Sequence, residues 1–141
     1  MINDGLKLKG KLAISLNGKI IQEVDNLVVT AGKGYVASRM KDASATAMSH
    51  MAIGSGSTAA AASDTALGSE LGRVALTSTN VSGAIVTYTA TFAAGTATGA
   101  ATEAAILNAS SGGTMLCRTV FSVVNKGASD SMTVTWTVTV S

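Results

Sequence analysis

At 141 residues and 47% hydrophobic content, the chain is long enough to build one domain around a real core. Its formal net charge of +2 comes without a clustered basic face, which argues against nucleic acid, and one Cys with one His excludes both a disulfide framework and a zinc set. Charged residues make up only 13%, about half the usual ~25% share, so Ser, Thr, Ala and Gly must cover much of the surface. Such a surface suits contact with neighbouring subunits, or is simply a threonine-rich β surface. No run approaches the ~18 apolar residues of a membrane span. Met1-Ile2-Asn3-Asp4 lacks the basic start and apolar stretch of a secretion signal, so synthesis in cytoplasm with no membrane partner is expected.

In chain order, Leu6, Leu8, Leu12, Ile14 and Leu16 fall on one face of an extended segment, with Lys7, Lys9 and Lys11 on the other. This strand runs into Asn17-Gly18, the pair best suited to a type I′ turn, and then into Lys19 to Val24, which predicts a β-hairpin. Lys7, Lys9, Lys11 and Lys19 make its exposed face locally positive. That face is either a solvated guard on an edge strand or a docking patch for an acidic partner.

Thr30 can cap a short helix over about 31–41, with Tyr35, Val36, Arg39 and Met40 at partial helical spacing. Residues 48–53 read as a strand. The small and glycine-rich run 54–68 reads as a long loop, with a helical turn beginning near Ser63 or Asp64. Thereafter strands are expected at 71–77, 84–92, 102–107 and 114–124, with turns at 80–83, 95–99, 110–113 and 125–130. In the fourth of these strands, Val120, Phe121, Val123 and Val124 imply burial on both sides. The last eleven residues alternate without a break: Met132, Val134, Trp136, Val138 and Val140 on one face, Thr133, Thr135, Thr137 and Thr139 on the other. The sum is an all-β chain with one short helix near 31–41, a jelly-roll-like β-sandwich of about eight strands. It is read as a single domain over 1–141 whose N-terminal hairpin and arm occupy about 1–29. Trp136 is expected to anchor the core, and the Thr face would suit pairing with a second copy.

Residues that carry chemistry are sparse. His50 lies in an apolar strand and reads as structural, Gly54-Ser55-Gly56-Ser57 lacks the spacing of a nucleophile elbow, and Gly32-Lys33-Gly34 lacks that of a phosphate loop. Both glycine runs read as flexible turns. Cys117 reads as a buried small hydrophobe. The eight carboxylates are scattered without calcium-loop spacing, and Glu103, within a strand, is assigned to a salt bridge at the sheet's rim. Four of the five residues Tyr35, Tyr88, Phe92, Phe121 and Trp136 fall on strands expected to bury them, which disfavours a sugar-binding jelly roll. No catalytic, cofactor or metal residues are assigned, and an enzyme is not expected.

Met51-Ala52-Ile53-Gly54-Ser55-Gly56-Ser57-Thr58, with Asp64 to Val74 behind it, resembles tailed-bacteriophage virion structural proteins. The resemblance continues through Val86 to Phe92, Thr102 to Ile106, Leu116 to Phe121 and the final Thr/Val strand, covering roughly residues 20 to 141. In size and strand count the chain is similar to the capsid cement (head-decoration) proteins of short-tailed phages, that of a Bordetella phage among them. The resemblance implies a protein on the capsid exterior of the virion, often a homodimer, that clamps neighbouring major capsid protein subunits and binds neither nucleic acid nor a cofactor. On this expectation Lys7, Lys9, Lys11 and Lys19 contact the capsid and Thr133, Thr135, Thr137 and Thr139 serve self-association. The alternative is a tail or tail-fibre component, although no internal repeat of the fibre kind is present.

Overall fold

A computed structural model describes residues 5–41 and 45–141. Nine strands and one helix follow in the order β1 (Leu8–Leu16), β2 (Lys19–Val28), α1 (Thr30–Lys41), β3 (His50–Gly54), β4 (Glu70–Ala75), β5 (Ser78–Ser82), β6 (Ile85–Phe92), β7 (Gly99–Leu107), β8 (Met115–Lys126) and β9 (Met132–Val140). All belong to one sheet in the order β4-β3-β7-β8-β2-β1-β9-β6-β5, and every pairing is antiparallel. The expected all-β class with one short helix is therefore present, as a single sheet that curls over on itself into two layers. Its corner is β2, which pairs with β1 along most of its length but with β8 only at Leu27 and Val28. Beyond that corner Gln22 donates its side-chain amide to the Ser122 carbonyl across the diverging strands, at 2.6 Å.

Local chemistry explains the first hairpin. Asn17 and Gly18 take φ of 51° and 84°, the two left-handed positions of a type I′ turn. Left undisturbed, that turn would place Val24 opposite Lys11, on the solvent side. A bulge at Ile21 shifts the register by one, so that Val24 lies opposite Leu12 and Asp25 opposite Lys11. Because strand side chains alternate, this one extra residue turns Val24 to the core side and Glu23 and Asp25 to the outside.

The core lies between the layers. Leu12 and Ile14 of β1, Tyr88 and Phe92 of β6, and Val134, Trp136 and Val138 of β9 meet Met51 and Ile53 of β3, Ala104 and Ile106 of β7, and Phe121 and Val124 of β8. Trp136 is wholly buried at its centre and donates its indole N–H to Asn26 Oδ1 at 2.7 Å. Gly10 faces that amide, where any Cβ would collide with it. Cys117 is buried, as expected, and burial pushes its thiol up.

The β3-β7-β8 layer has a second covered face. Ala52, Ala105, Leu107 and Met115 point away from the main core, and Val29, Ala31 and Leu67 pack over them. The start of α1 sits directly on β8, where a Cβ on Gly32 would run into the Leu116 carbonyl. Gly32→Ala is therefore expected to destabilise the fold by about 1–3 kcal/mol, the usual range for overpacking, read as a lowered urea midpoint at unchanged slope. Gly34 has open space at the same position, and Gly34→Ala is the control.

Several expectations change. Residues 78–82 form strand β5 where a turn was read at 80–83, and the turn is Gly83-Ala84. Gly83, at φ 58°, supplies the left-handed first position of a type II′ hairpin. No helix forms in the loop 55–69, only a hydrogen-bonded turn in which Asp64 N–H donates to Ala61 O. Tyr35 and Val36 pack on the core as their spacing suggests, but Met40 is 77% exposed. Val123 is 53% exposed, because at that end β8 has left β2 and only one of its faces is covered. Lys126, read as part of a turn, ends β8 with its side chain buried, its ammonium donating to Ala93 O at 2.9 Å. Of the expected N-terminal arm, residues 1–4 lie outside the described residues.

Candidate interaction surface

The outer face of the β2-β1-β9-β6-β5 layer carries the threonines together with Lys9 and Lys11, whereas Lys19 lies opposite Leu16, on the side turned toward the core. Register places Thr133, Thr135 and Thr137 of β9 directly opposite Thr91, Thr89 and Thr87 of β6. Side chains of directly opposed residues share a face, so these threonines form a two-by-three block, spaced ~4.8 Å across the strands and ~6.7 Å along them. Thr91 and Thr133 hydroxyls meet at 3.0 Å, and Thr137 donates to the Lys11 carbonyl at 3.2 Å. Thr139 sits beyond the block, opposite Ile85. On the other side of β9, Lys9 lies opposite Thr139 and Lys11 opposite Thr137. The sequence showed each alternating strand alone; the pairing of β6 with β9, more than forty residues apart, is what turns two hydroxyl rows into a surface.

The lysines do not form one positive patch. Lys11 is ion-paired with Glu23 at 3.4 Å, with both side chains largely in water, and Asp25 lies opposite Lys11 in the ladder. Lys9 and Lys11 are thus offset by Glu23 and Asp25 on the same face, which corrects the expectation of a locally positive hairpin. Lys7 precedes β1, paired through its backbone with Ser141, and Lys19 is at the other end of β1 beside the Asn17-Gly18 turn. These two ends are separated by about 30 Å of strand. The threonines of β9 are also constrained. Their strand is paired on one side with β1 and on the other with β6, so they can meet another molecule only face-on, through hydroxyls, and not by adding a strand.

A buried charge cluster lies on the opposite side of the molecule. Glu103 of β7 is fully buried rather than at the rim, and its carboxylate accepts N–H bonds from Gly56 and Ser69 on Oε2 and from Gly68 on Oε1, at 2.7–2.8 Å. Arg118, opposite Ala105 on β8, adds donations from Nε and Nη2 to Oε1, at 3.2 and 2.9 Å. Arg118 also reaches Asp64 Oδ2 and the Thr58 carbonyl, each at 2.9 Å. Burial pushes the Glu103 carboxyl up, but the N–H groups of Ser69 and Gly68, the guanidinium and the Gly56 N–H outweigh it, and the net shift is downward. A Cβ on Gly54 or Gly56 would collide with this carboxylate. The glycines that read as a flexible turn are there for close approach, and the loop 55–69 is lashed to the sheet by Glu103, Arg118 and Thr102, whose hydroxyl donates to the Gly56 carbonyl.

His50 is half-buried with Nδ1 at 2.8 Å from Ser49 Oγ, and among the described residues no three His, Cys, Asp or Glu side chains gather as a metal site. No helix of the described residues is long and apolar enough to cross a membrane. An apolar groove of about 420 Å³ opens between α1 and the inner face of β5 and β6, lined by Val36, Met48, Val81, Val86 and Tyr88 among others. Comparison of the chain with protein-family models, curated proteins and solved structures finds no match.

Proposed function

We propose that the chain is a structural protein of a tailed-phage virion that binds the outside of the capsid and cements neighbouring major-capsid subunits. The observation that carries this reading is the outer hydroxyl face, a regular array of six threonines on the middle strands of a five-stranded layer, flanked by the balanced charges of Lys9, Lys11, Glu23 and Asp25. The sequence resemblance to virion proteins over residues 20 to 141 points the same way. Threonines on a strand are stiff at χ1, so ordering them against a protein surface costs little entropy. Short hydroxyls also leave the backbone layer close to whatever it meets. A subunit that binds only the assembled shell stabilises it by mass action, and many copies multiply a modest contact energy.

Copy number per particle tests the reading. Quantitative mass spectrometry of purified particles should find the chain in hundreds of copies, in fixed ratio to the major capsid protein. A handful of copies per particle would favour a tail or tail-fibre component, and absence from particles would refute a virion role.

A further inference from the structure

We infer that strand β5 is an open pairing edge and that its occupant is β5 of a second copy of this chain, giving an antiparallel dimer. The two ends of the curled sheet are unlike each other. At one end β4 carries Glu70 and Arg73, ion-paired at 2.7 Å, and Arg73 further donates to the Ala109 and Gly112 carbonyls. Charged side chains on an edge strand discourage edge-to-edge association. At the other end β5, Ser78-Thr79-Asn80-Val81-Ser82, carries no charge and no proline, pairs with β6 without a bulge, and is exposed along its whole length. Its outer edge has no strand beyond it among the described residues. Although β5 is short, at five residues, none of the charge, proline or bulge guards against strand addition is present.

Side chains complete the argument. Thr79 and Val81 lie opposite Tyr88 and Val86, on the inner face, where both line the apolar groove under α1. Val81 is nevertheless 68% exposed, because the groove is unroofed on the β5 side. A strand added to β5 would present alternate side chains over that groove, the arrangement by which strand addition gains both backbone hydrogen bonds and side-chain burial.

A second β5 fits this edge. In an antiparallel pair centred on Asn80, the two Asn80 side chains face each other on the outer side and can bond amide to amide, while each Val81 falls beside the other copy's Thr79 over the groove. The uncharged segment meets its twin without repulsion, and the two-fold contact is self-complementary. The axis runs through the sheet, so both threonine arrays face the same way. This last consequence alone bears on the capsid proposal, since two arrays on one side would bind a shell with avidity; the dimer itself does not depend on it.

Light scattering and sedimentation of the purified full chain test the inference without any virus. The expected result is a species of twice the 14.0 kDa chain mass at high concentration, lost in Val81→Lys and kept in Thr135→Lys, which changes the outer face instead. Asn80→Cys should form a disulfide-linked dimer on mild oxidation, since the native Cys117 is buried and cannot compete. A wild-type monomer at all concentrations overturns the inference, as does a dimer that survives Val81→Lys with its thermal midpoint unchanged. Should Val81→Lys fail to fold, the cross-link decides: an Asn80→Cys chain that stays monomeric under oxidation is a contrary result.

Discussion

Arg118→Met is expected to destabilise the protein by about 3–5 kcal/mol, the cost of breaking a buried ion pair by removing one partner. The guanidinium satisfies Glu103, Asp64 and the Thr58 carbonyl together, so its loss leaves the buried Glu103 carboxylate short of a charged donor and frees the Thr58 carbonyl and Asp64. Glu103→Gln should be nearly as damaging despite its similar shape. Both carboxylate oxygens accept backbone N–H groups, and an amide offers only one acceptor oxygen, turning its NH2 against the donors that remain. Replacing both residues by apolar ones of similar volume should cost less than the two single losses added together. Chemical denaturation measures the energies. Hydrogen exchange locates them: the amides of Gly56, Gly68 and Ser69 should lose protection before those of β7 and β8.

The same cluster sets a pH dependence. Because folding holds the Glu103 carboxyl below its ordinary value, its contribution is complete above the unfolded-state range near ~4.3 and is lost as pH falls through the lower folded value. As pH falls from about 5 through the folded-state value, the thermal midpoint should therefore drop more steeply in the wild type than in Glu103→Gln, which lacks the titrating group.

Trp136→Ala is the second large effect, with an expected cost of about 3–5 kcal/mol. The indole is wholly buried between the layers, and β9 is a central strand that cannot collapse inward without moving β1 and β6. Trp136→Phe separates packing from hydrogen bonding. It keeps most of the volume but removes the donor to Asn26 Oδ1, and the Asn26 amide nitrogen is itself buried without a partner. An orphaned buried acceptor costs about 1–3 kcal/mol, so Trp136→Phe should fall clearly between wild type and Trp136→Ala in urea unfolding.

What could be read from the sequence was what is local. The alternation of β9 and the Asn17-Gly18 turn each act within a few residues and formed where expected; the helix did too, but Thr30 is its first residue and not its cap, since the Val29 carbonyl accepts the first helical bond from the Lys33 N–H. Strand β5 escaped because Asn80-Val81-Ser82-Gly83 is made of turn residues around one valine; it is a strand because β6 pairs with it, not by its own propensity. Glu103 was misplaced for a related reason. Nothing near it in sequence neutralises it, and its partners come from residues 56, 68, 69 and 118, brought together only by the fold. A glycine cluster preceding a lone strand carboxylate was the available signal. On the candidate surface, the threonine row was visible in β9, but the charge balance was not, since a single bulge at Ile21 decides whether Lys11 faces Val24 or Asp25.

The central claim is that the threonine face holds the chain on a capsid and that the bound chain strengthens it. It is tested most directly by heating particles that lack the protein, alone and after adding back purified wild type or a Thr89→Lys/Thr135→Lys variant. The account predicts that the bare particles release their genome at a lower temperature, that wild type restores the release temperature, and that the folded variant does not. A release temperature that is the same with and without the protein would contradict it.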